Sequence, residues 1–157
     1  MDTTKKLEAQ LQFRPLSVDD IDEIMRIDEL IVRRKRNPLF RSQLKEQIIK
    51  HGDESLGVIL QDGTLIGYLL AETKVYIYGT DDLAAWITLL GIDPEFQDQG
   101  VGTALANRVI SYFSEKGINS IRTICAWDWG DLVEFFSTVG FKLSDYLTLE
   151  LNIGQSP

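Results

Sequence analysis

One stretch constrains this chain more than any other: Leu89 to Ala104. An apolar run is stopped by Asp93-Pro94, a polar loop follows with glycines at 100 and 102, and an amphipathic helix opens at once. The order is strand, turn, helix. Glycines let the backbone come close to a ligand, and the unpaired amides of a helix start favour an anion, so the loop is a candidate pyrophosphate cradle. The spacing decides which kind. A P-loop needs Lys-Ser or Lys-Thr after its last glycine, where this chain has Thr103-Ala104, and a dinucleotide fingerprint needs a third glycine where Leu105 stands. Neither nucleotide motif fits.

What fits is Gln-x-x-Gly-x-Gly, Gln97 to Gly102, after a strand ending in Ile92-Asp93-Pro94. This resembles the acyl-CoA loop of the GNAT superfamily of N-acetyltransferases. Further on, Asp131 to Phe141 resembles the family's late helix, which ends in Gly-Phe before a strand. The likeness extends over residues 11 to 151 in the family's order of elements. It implies a mixed α/β fold: a central, mostly antiparallel sheet of about six or seven strands with one parallel splayed pair, flanked by about four helices. Residues 11–153 are expected to form a single domain between a flexible tail at 1–10 and a short tail at 154–157.

Composition agrees with a globular chain of one core. At 157 residues, 44% hydrophobic and 25% charged, it is long enough to bury one. No apolar run reaches the length of a membrane span and Met1 to Gln10 lacks a hydrophobic signal region, so no membrane partner and a cytoplasmic location are expected. The single cysteine, Cys125, excludes an internal disulfide and argues against a cysteine-based zinc site, and no metal is expected. A net charge of −8 argues against a nucleic-acid surface. Against that background, Arg33 to Lys50 holds seven basic residues and one acid. That run reads either as a solvated helix end or as a patch for an acidic acceptor or the CoA phosphates.

Along the chain, Leu11 to Leu16 alternates up to Pro15 as an edge strand does. Ser17 with Asp20 is a capping-box pattern opening a first helix, on which Ile21, Ile24, Met25, Ile27 and Ile31 recur at helical spacing. Asn37-Pro38 breaks the chain before a second helix, about Leu39 to His51, with Leu44, Ile48 and Ile49 on its apolar face. Asp62-Gly63 joins two antiparallel strands, Leu56–Leu60 and Leu65–Ala71. Val75 to Gly79 prolongs the second or forms a lip, and residues 79–82 form a loop. Ala85 to Ile92 feeds the cradle. A helix with Val101, Ala104, Leu105, Val109, Tyr112 and Phe113 inward ends at Gly117. It crosses to a parallel strand, Ser120 to Ala126. Asp128 and Asp131 are candidate caps for the next helix, and Phe141 and Tyr146 to Ile153 supply the last strands.

The resemblance implies that the pantetheine arm of acetyl-CoA pairs with the backbone of Leu90, Gly91 and Ile92. The pyrophosphate then sits on Gln97, Asp98, Gln99, Gly100, Val101, Gly102 and Thr103. The acetyl group passes directly to a primary amine of a small molecule, a peptide N-terminus or a lysine in a ternary complex. At the catalytic groups the chain departs from the family. The late-helix tyrosine that protonates the thiolate is replaced by Phe136, leaving Tyr146 or water. The frequent asparagine position is Trp129, and the cradle-strand acid positions are Thr88 and Leu89. Glu72 is the substitute base, with Asp81, Asp82 and His51 behind it. Cys125 reads as a small hydrophobe, and Trp127 and Trp129 as either core or acceptor pocket. Two alternatives follow: a non-catalytic acyl-CoA-binding regulatory module lacking acid and base, and an acyltransferase for longer chains. A homodimer is compatible with the resemblance, because dimers are frequent in the family.

Overall fold

The computed structural model describes residues 3–32, 35–75 and 83–154. The chain divides into two units, Met1–Ile124 and Cys125–Pro157. The order is α1 (Thr3–Glu8), β1 (Gln12–Pro15), α2 (Ile21–Val32), α3 (Phe40–His51), β2 (Leu56–Ile59), β3 (Leu65–Lys74), β4 (Ala84–Ile92), α4 (Val101–Glu115), β5 (Ile121–Thr123) and α5 (Gly130–Val139).

In the first unit the strands lie in the order β1-β2-β3-β4-β5. Every pairing is antiparallel except β4 with β5. Asp62-Gly63 makes the β2–β3 turn, the Asp62 carboxylate accepting from the Thr64 amide at 3.0 Å. On one face of the sheet, Ile21, Ile24 and Ile27 of α2 and Leu44 and Ile48 of α3 close on Leu65, Tyr68 and Leu70 of β3. Alternation along β3 turns Leu69 to the other face. There α4 packs across β2, β3 and β4 with Val101, Leu105, Val109 and Phe113 buried.

The entry into α2 follows the capping-box pattern. The Asp20 carboxylate accepts from the Ser17 amide at 2.8 Å and takes a two-pronged bond from Arg14 at 2.8 Å on each oxygen. Burial pushes the Asp20 carboxyl up, but the Arg14 and Ser17 bonds outweigh it and hold the group below the ordinary carboxylate value.

The second unit contains α5, closed by Gly140, after which the Phe141 amide turns back to the Phe136 carbonyl at 2.9 Å. That return stacks the Phe141 ring on Phe136, centroids 4.9 Å apart. The helix begins behind Trp129 with no side-chain cap, so neither Asp128 nor Asp131 plays that part.

Several expectations are corrected. Among the described residues the sheet has five strands, slightly fewer than the expected six or seven, and the five α-helices, the short α1 included, agree with the expected count of about four. Phe141 and Tyr146 to Ile153 are irregular, and Leu147, Leu149, Leu151 and Ile153 stand exposed. Their alternation is that of a strand, but a strand exists only where a neighbour completes its ladder. Residues 3–8, read as part of a loose tail, form a short helix. Ile49 is exposed because it falls off the Leu44–Ile48 stripe. The parallel strand stops at Thr123 rather than Ala126. Of the lip, Val75 lies outside the strand, and residues 76–82 lie outside the described residues.

Candidate active site

Strand β4 has two different edges. Along β3 it is paired from Ala84 to Ile92. Along β5 the register runs only Ala85 with Ile121, Trp86 with Arg122 and Ile87 with Thr123. From Thr88 onward, no strand among the described residues pairs with that side of β4. The parting point coincides with a bulge, since Leu70 faces Leu89 and Ala71 faces Ile87, which leaves Thr88 as the extra residue. Leu89 and Leu90 are half-buried, so the nearly continuous apolar run reads as a strand covered on both faces only in its first half.

The free edge leads into the loop. Asp93 is 5% exposed and anchors it three ways. Its amide donates to the Ile66 carbonyl at 2.8 Å, one carboxylate oxygen accepts from the Glu95 amide at 3.0 Å, and the other takes the Arg26 guanidinium at 2.9 Å. The two glutamines face inward to the loop itself: the Gln97 side-chain amide donates to the Ile92 carbonyl at 3.0 Å and that of Gln99 to the Glu95 carbonyl at 3.1 Å. They build the loop rather than line it. Asp98 at φ 60° and Gly100 at φ 82° both take left-handed backbone, and the Asp98 side chain is exposed. Alternating left-handed residues of this kind turn successive amides inward into an anion-binding nest.

Helix α4 follows with Gly100 as its N-cap and no side-chain cap bond. Ala104 is the residue whose amide bonds the Gly100 carbonyl, at 3.0 Å, so the amides of Val101, Gly102 and Thr103 precede the helix's own ladder. An open strand edge running into uncapped helix amides fits the extended, amide-rich arm and pyrophosphate of CoA. Gly91 matters for a separate reason: a Cβ there would collide with the ring and hydroxyl of Tyr68. Tyr68 is fully buried, its hydroxyl has no hydrogen-bond partner, and burial pushes its phenol well above the ordinary value.

On the α2–α3 side the groups are side chains. Gln47 of α3 bonds the Thr88 hydroxyl, which also donates to the Leu70 carbonyl at 3.3 Å. One turn earlier on α3, Gln43 lines a cleft of about 360 Å³ with Lys35, Arg36, Asn37 and Phe40. Glu72, half-buried on β3, receives Lys74 at 2.7 Å on one oxygen, and His51 stands 3.6 Å from the other. His51 also lies 3.3 Å from Glu54, whose carboxylate takes the Thr73 amide and hydroxyl, each at 2.7 Å.

Of the five basic residues of the run that are described, three are ion-paired. Arg36 grips the buried Asp28 with two bonds of 2.8 and 2.9 Å, Arg41 pairs with Asp22 and Lys50 with Glu46. Arg33, Arg34, Asp81 and Asp82 lie outside the described residues.

The structure thus runs Leu90 to Ile92 of β4 through the Asp93 turn into Gln97 to Thr103 at the start of α4, and sets Glu72 beside His51. Tyr146 belongs to the second unit and is exposed, as are Trp127 and Trp129. Phe136 is buried against Phe135 and Phe141. Burial pushes the Cys125 thiol up, away from the thiolate a nucleophile needs. Among the described residues no cluster of metal-ligating side chains occurs, and no helix is long and apolar enough to cross a membrane. Sequence reasoning missed Arg26, Asp28 and Gln47. Asp28 carried a signal, since a charge four residues after Ile24 sits on the apolar stripe of α2. Arg26 and Gln47 carried none.

The model of the acetyltransferase (GNAT) family matches residues 20–141, which spans both units. An uncharacterized N-acetyltransferase of Methanocaldococcus jannaschii is 20% identical over 137 residues, covering 82% of this chain and 59% of the relative. The chain therefore spans under two thirds of that relative's length. An aminoglycoside acetyltransferase from an uncultured soil metagenomic sample, solved with trehalose, shares the fold at TM-score 0.74 and 15% identity, over 95% of this chain and 99% of that one. AAC(6')-Iy, solved with the bisubstrate analogue CoA-S-monomethyl-acetylneamine, does so at TM-score 0.71 and 16% identity, over 90% and 97%. The chain belongs to the GNAT acetyltransferase family.

Proposed function

We propose that this GNAT-family chain transfers the acetyl group of acetyl-CoA to a primary amine, with both substrates bound together. The carrying observation is the edge of β4 from Thr88 to Ile92, unpaired by any strand among the described residues, running into the uncapped amides of α4. In this reading Leu90, Gly91 and Ile92 offer backbone groups to the pantetheine arm. Gly100 to Thr103 hold the pyrophosphate with amides and the helix dipole, and Gln97 and Gln99 keep the loop in shape. The chain's main contribution is positioning and electrostatic stabilisation of the thioester oxygen. Glu72 takes the proton of the incoming ammonium, and Tyr146 or water returns one to the departing thiolate. A thiol of pKa about 8.5 leaves readily, so that last proton matters least.

The acceptor is a cationic small-molecule amine, a peptide N-terminus or a lysine. Ion-pairing of Arg36, Arg41 and Lys50 within the protein weighs against an acidic acceptor, and a net charge of −8 draws cations. The metagenomic structural neighbour named above is an aminoglycoside acetyltransferase, and aminoglycosides are cationic amines.

The test is a calorimetric titration with acetyl-CoA, on the native protein and on Gly100→Glu, followed by thiol release with sisomicin, neamine and lysine. Micromolar binding abolished in the variant, with thiol release on at least one amine, is the expected result. No binding by the native protein would overturn the reading. Phe136 buried at the family's tyrosine position favours a second reading, a non-catalytic acyl-CoA-binding module. Binding without turnover on any amine would select it.

A further inference from the structure

We propose that His51 is a positioning and proton-relay residue that takes from Glu72 the proton Glu72 removes from the acceptor; this rests on the assignment of Glu72 as base. The geometry is a line of three side chains from three elements. Glu54, in the turn after α3, is fixed by Thr73 through two bonds of 2.7 Å. His51, the last residue of α3, has Nδ1 at 3.3 Å from Glu54 and Nε2 at 3.6 Å from Glu72.

Both ring nitrogens face a carboxylate, and the nearer contact, Nδ1 to Glu54 at 3.3 Å against 3.6 Å for Nε2 to Glu72, keeps the ring hydrogen on Nδ1, so that Nε2 is the nitrogen that accepts once Glu72 has taken the substrate proton. At 3.6 Å that last contact is an ion-pair separation, and a small χ adjustment of Glu72 closes it to hydrogen-bond length, as happens when substrate fills a site. Lys74 occupies the other Glu72 oxygen at 2.7 Å and so restricts that carboxylate to a single direction of transfer.

Glu72 is on the α3 face of the sheet, opposite Trp86 on β4 and so two positions before the bulged Thr88. The Lys74 and Arg122 cations lie over the Trp86 ring. The route is balanced: the ammonium proton passes to a Glu72 oxygen, then to His51 Nε2, and the imidazolium returns it to water, which reaches a side chain 29% exposed. The charged groups facing His51 are Glu54 of the turn and Glu72 and Lys74 of β3. Beyond them, Lys116 at the end of α4 interacts with Asp53 and Glu54.

His51 is the chain's single histidine, so its ring nitrogens are read without resonance assignment. In long-range 15N spectra the neutral ring is expected as the Nδ1–H tautomer in the native protein, shifting toward Nε2–H in Glu54→Ala. A native Nε2–H tautomer would overturn the proposal without touching acetyl transfer.

The second arm is thiol release from acetyl-CoA with methylamine, whose ammonium must lose a proton to react. His51→Gln is expected to lower kcat about tenfold at pH 7, at the low end of what proton handling contributes. The KM for acetyl-CoA should stay unchanged, and the gap should narrow toward pH 10, where a growing share of methylamine is already neutral in bulk water. An equal loss at every pH, or no loss, would sink the relay. If native protein binds acetyl-CoA but does not acetylate methylamine, the relay falls with its base while the cofactor assignment stands.

Discussion

In the function proposed above, the two flanks of β4 share one task, holding a ligand against a strand, and meet it with different materials. Toward α4 the groups proposed to face the ligand are backbone amides, and the side chains of Gln97, Gln99 and Asp93 bond back within the loop. Toward α3 they are side chains, Glu72, His51, Gln47 and Thr88, on a backbone already committed to the sheet. A backbone site is sensitive to conformation and indifferent to most side chains. A side-chain site has the opposite sensitivities.

The largest effect should come from substituting the backbone flank at its hinge. Gly100→Glu combines strain at φ 82° with a carboxylate placed among anion-binding amides, and acetyl-CoA affinity should fall at least about a hundredfold by calorimetry. Gln99→Ala should stay within about threefold. Equal losses in the two would mean that side chains hold the ligand there.

Next comes the ion pair that closes the α2–α3 side. Arg36→Ala strands the buried Asp28 carboxylate without its two bonds, and urea unfolding should show a loss of about 3 kcal/mol. A loss under about 1 kcal/mol would place Asp28 in contact with water.

A third test uses acid. Because the folded Asp20 carboxyl lies below its ordinary value, its contribution is present in full above that value, about 3.9, and is lost as the pH falls through the folded one. Stability of the native protein should therefore drop faster below about pH 4 than that of Asp20→Asn, which starts lower by about 1 kcal/mol at pH 7. Parallel curves would remove Arg14–Asp20 from the account.

The smallest effect is a gain. Asp98→Gly relieves a left-handed non-glycine residue, and the relief should roughly offset the added freedom of the unfolded chain, to within about 0.5 kcal/mol in Tm-derived stability. Removing that charge should tighten acetyl-CoA binding by about twofold at low salt. Weaker binding would mean that Asp98 itself touches the ligand.

The backbone flank was legible in the sequence because conformation leaves a signature there: Asp-Pro ends a strand, Gly100 demands a left-handed residue, and the apolar stripe from Val101 to Phe113 starts the helix. The side-chain flank was legible only in part. Glu72 could be named as a strand-end carboxylate, but its neighbours His51 and Glu54 meet it through the fold, and nothing in their spacing announces a line. Arg26 and Asp93, 67 positions apart, show the same limit. The C-terminal alternation from Tyr146 to Ile153 failed in another way. Period two records a preference for pleated backbone, whereas pairing is decided by a neighbour the pattern does not encode.

Gly91 and Tyr68 finally impose an order on how this chain can change. With Tyr68 in place, even the methyl group of alanine at 91 has nowhere to go, so β4 is locked to its present outline there. Once position 68 carries a smaller side chain, position 91 opens to substitution, and reverting position 68 afterwards becomes the forbidden step. A lineage passing through that pair would cross a one-way gate, and libraries varying either residue alone would miss what lies beyond it.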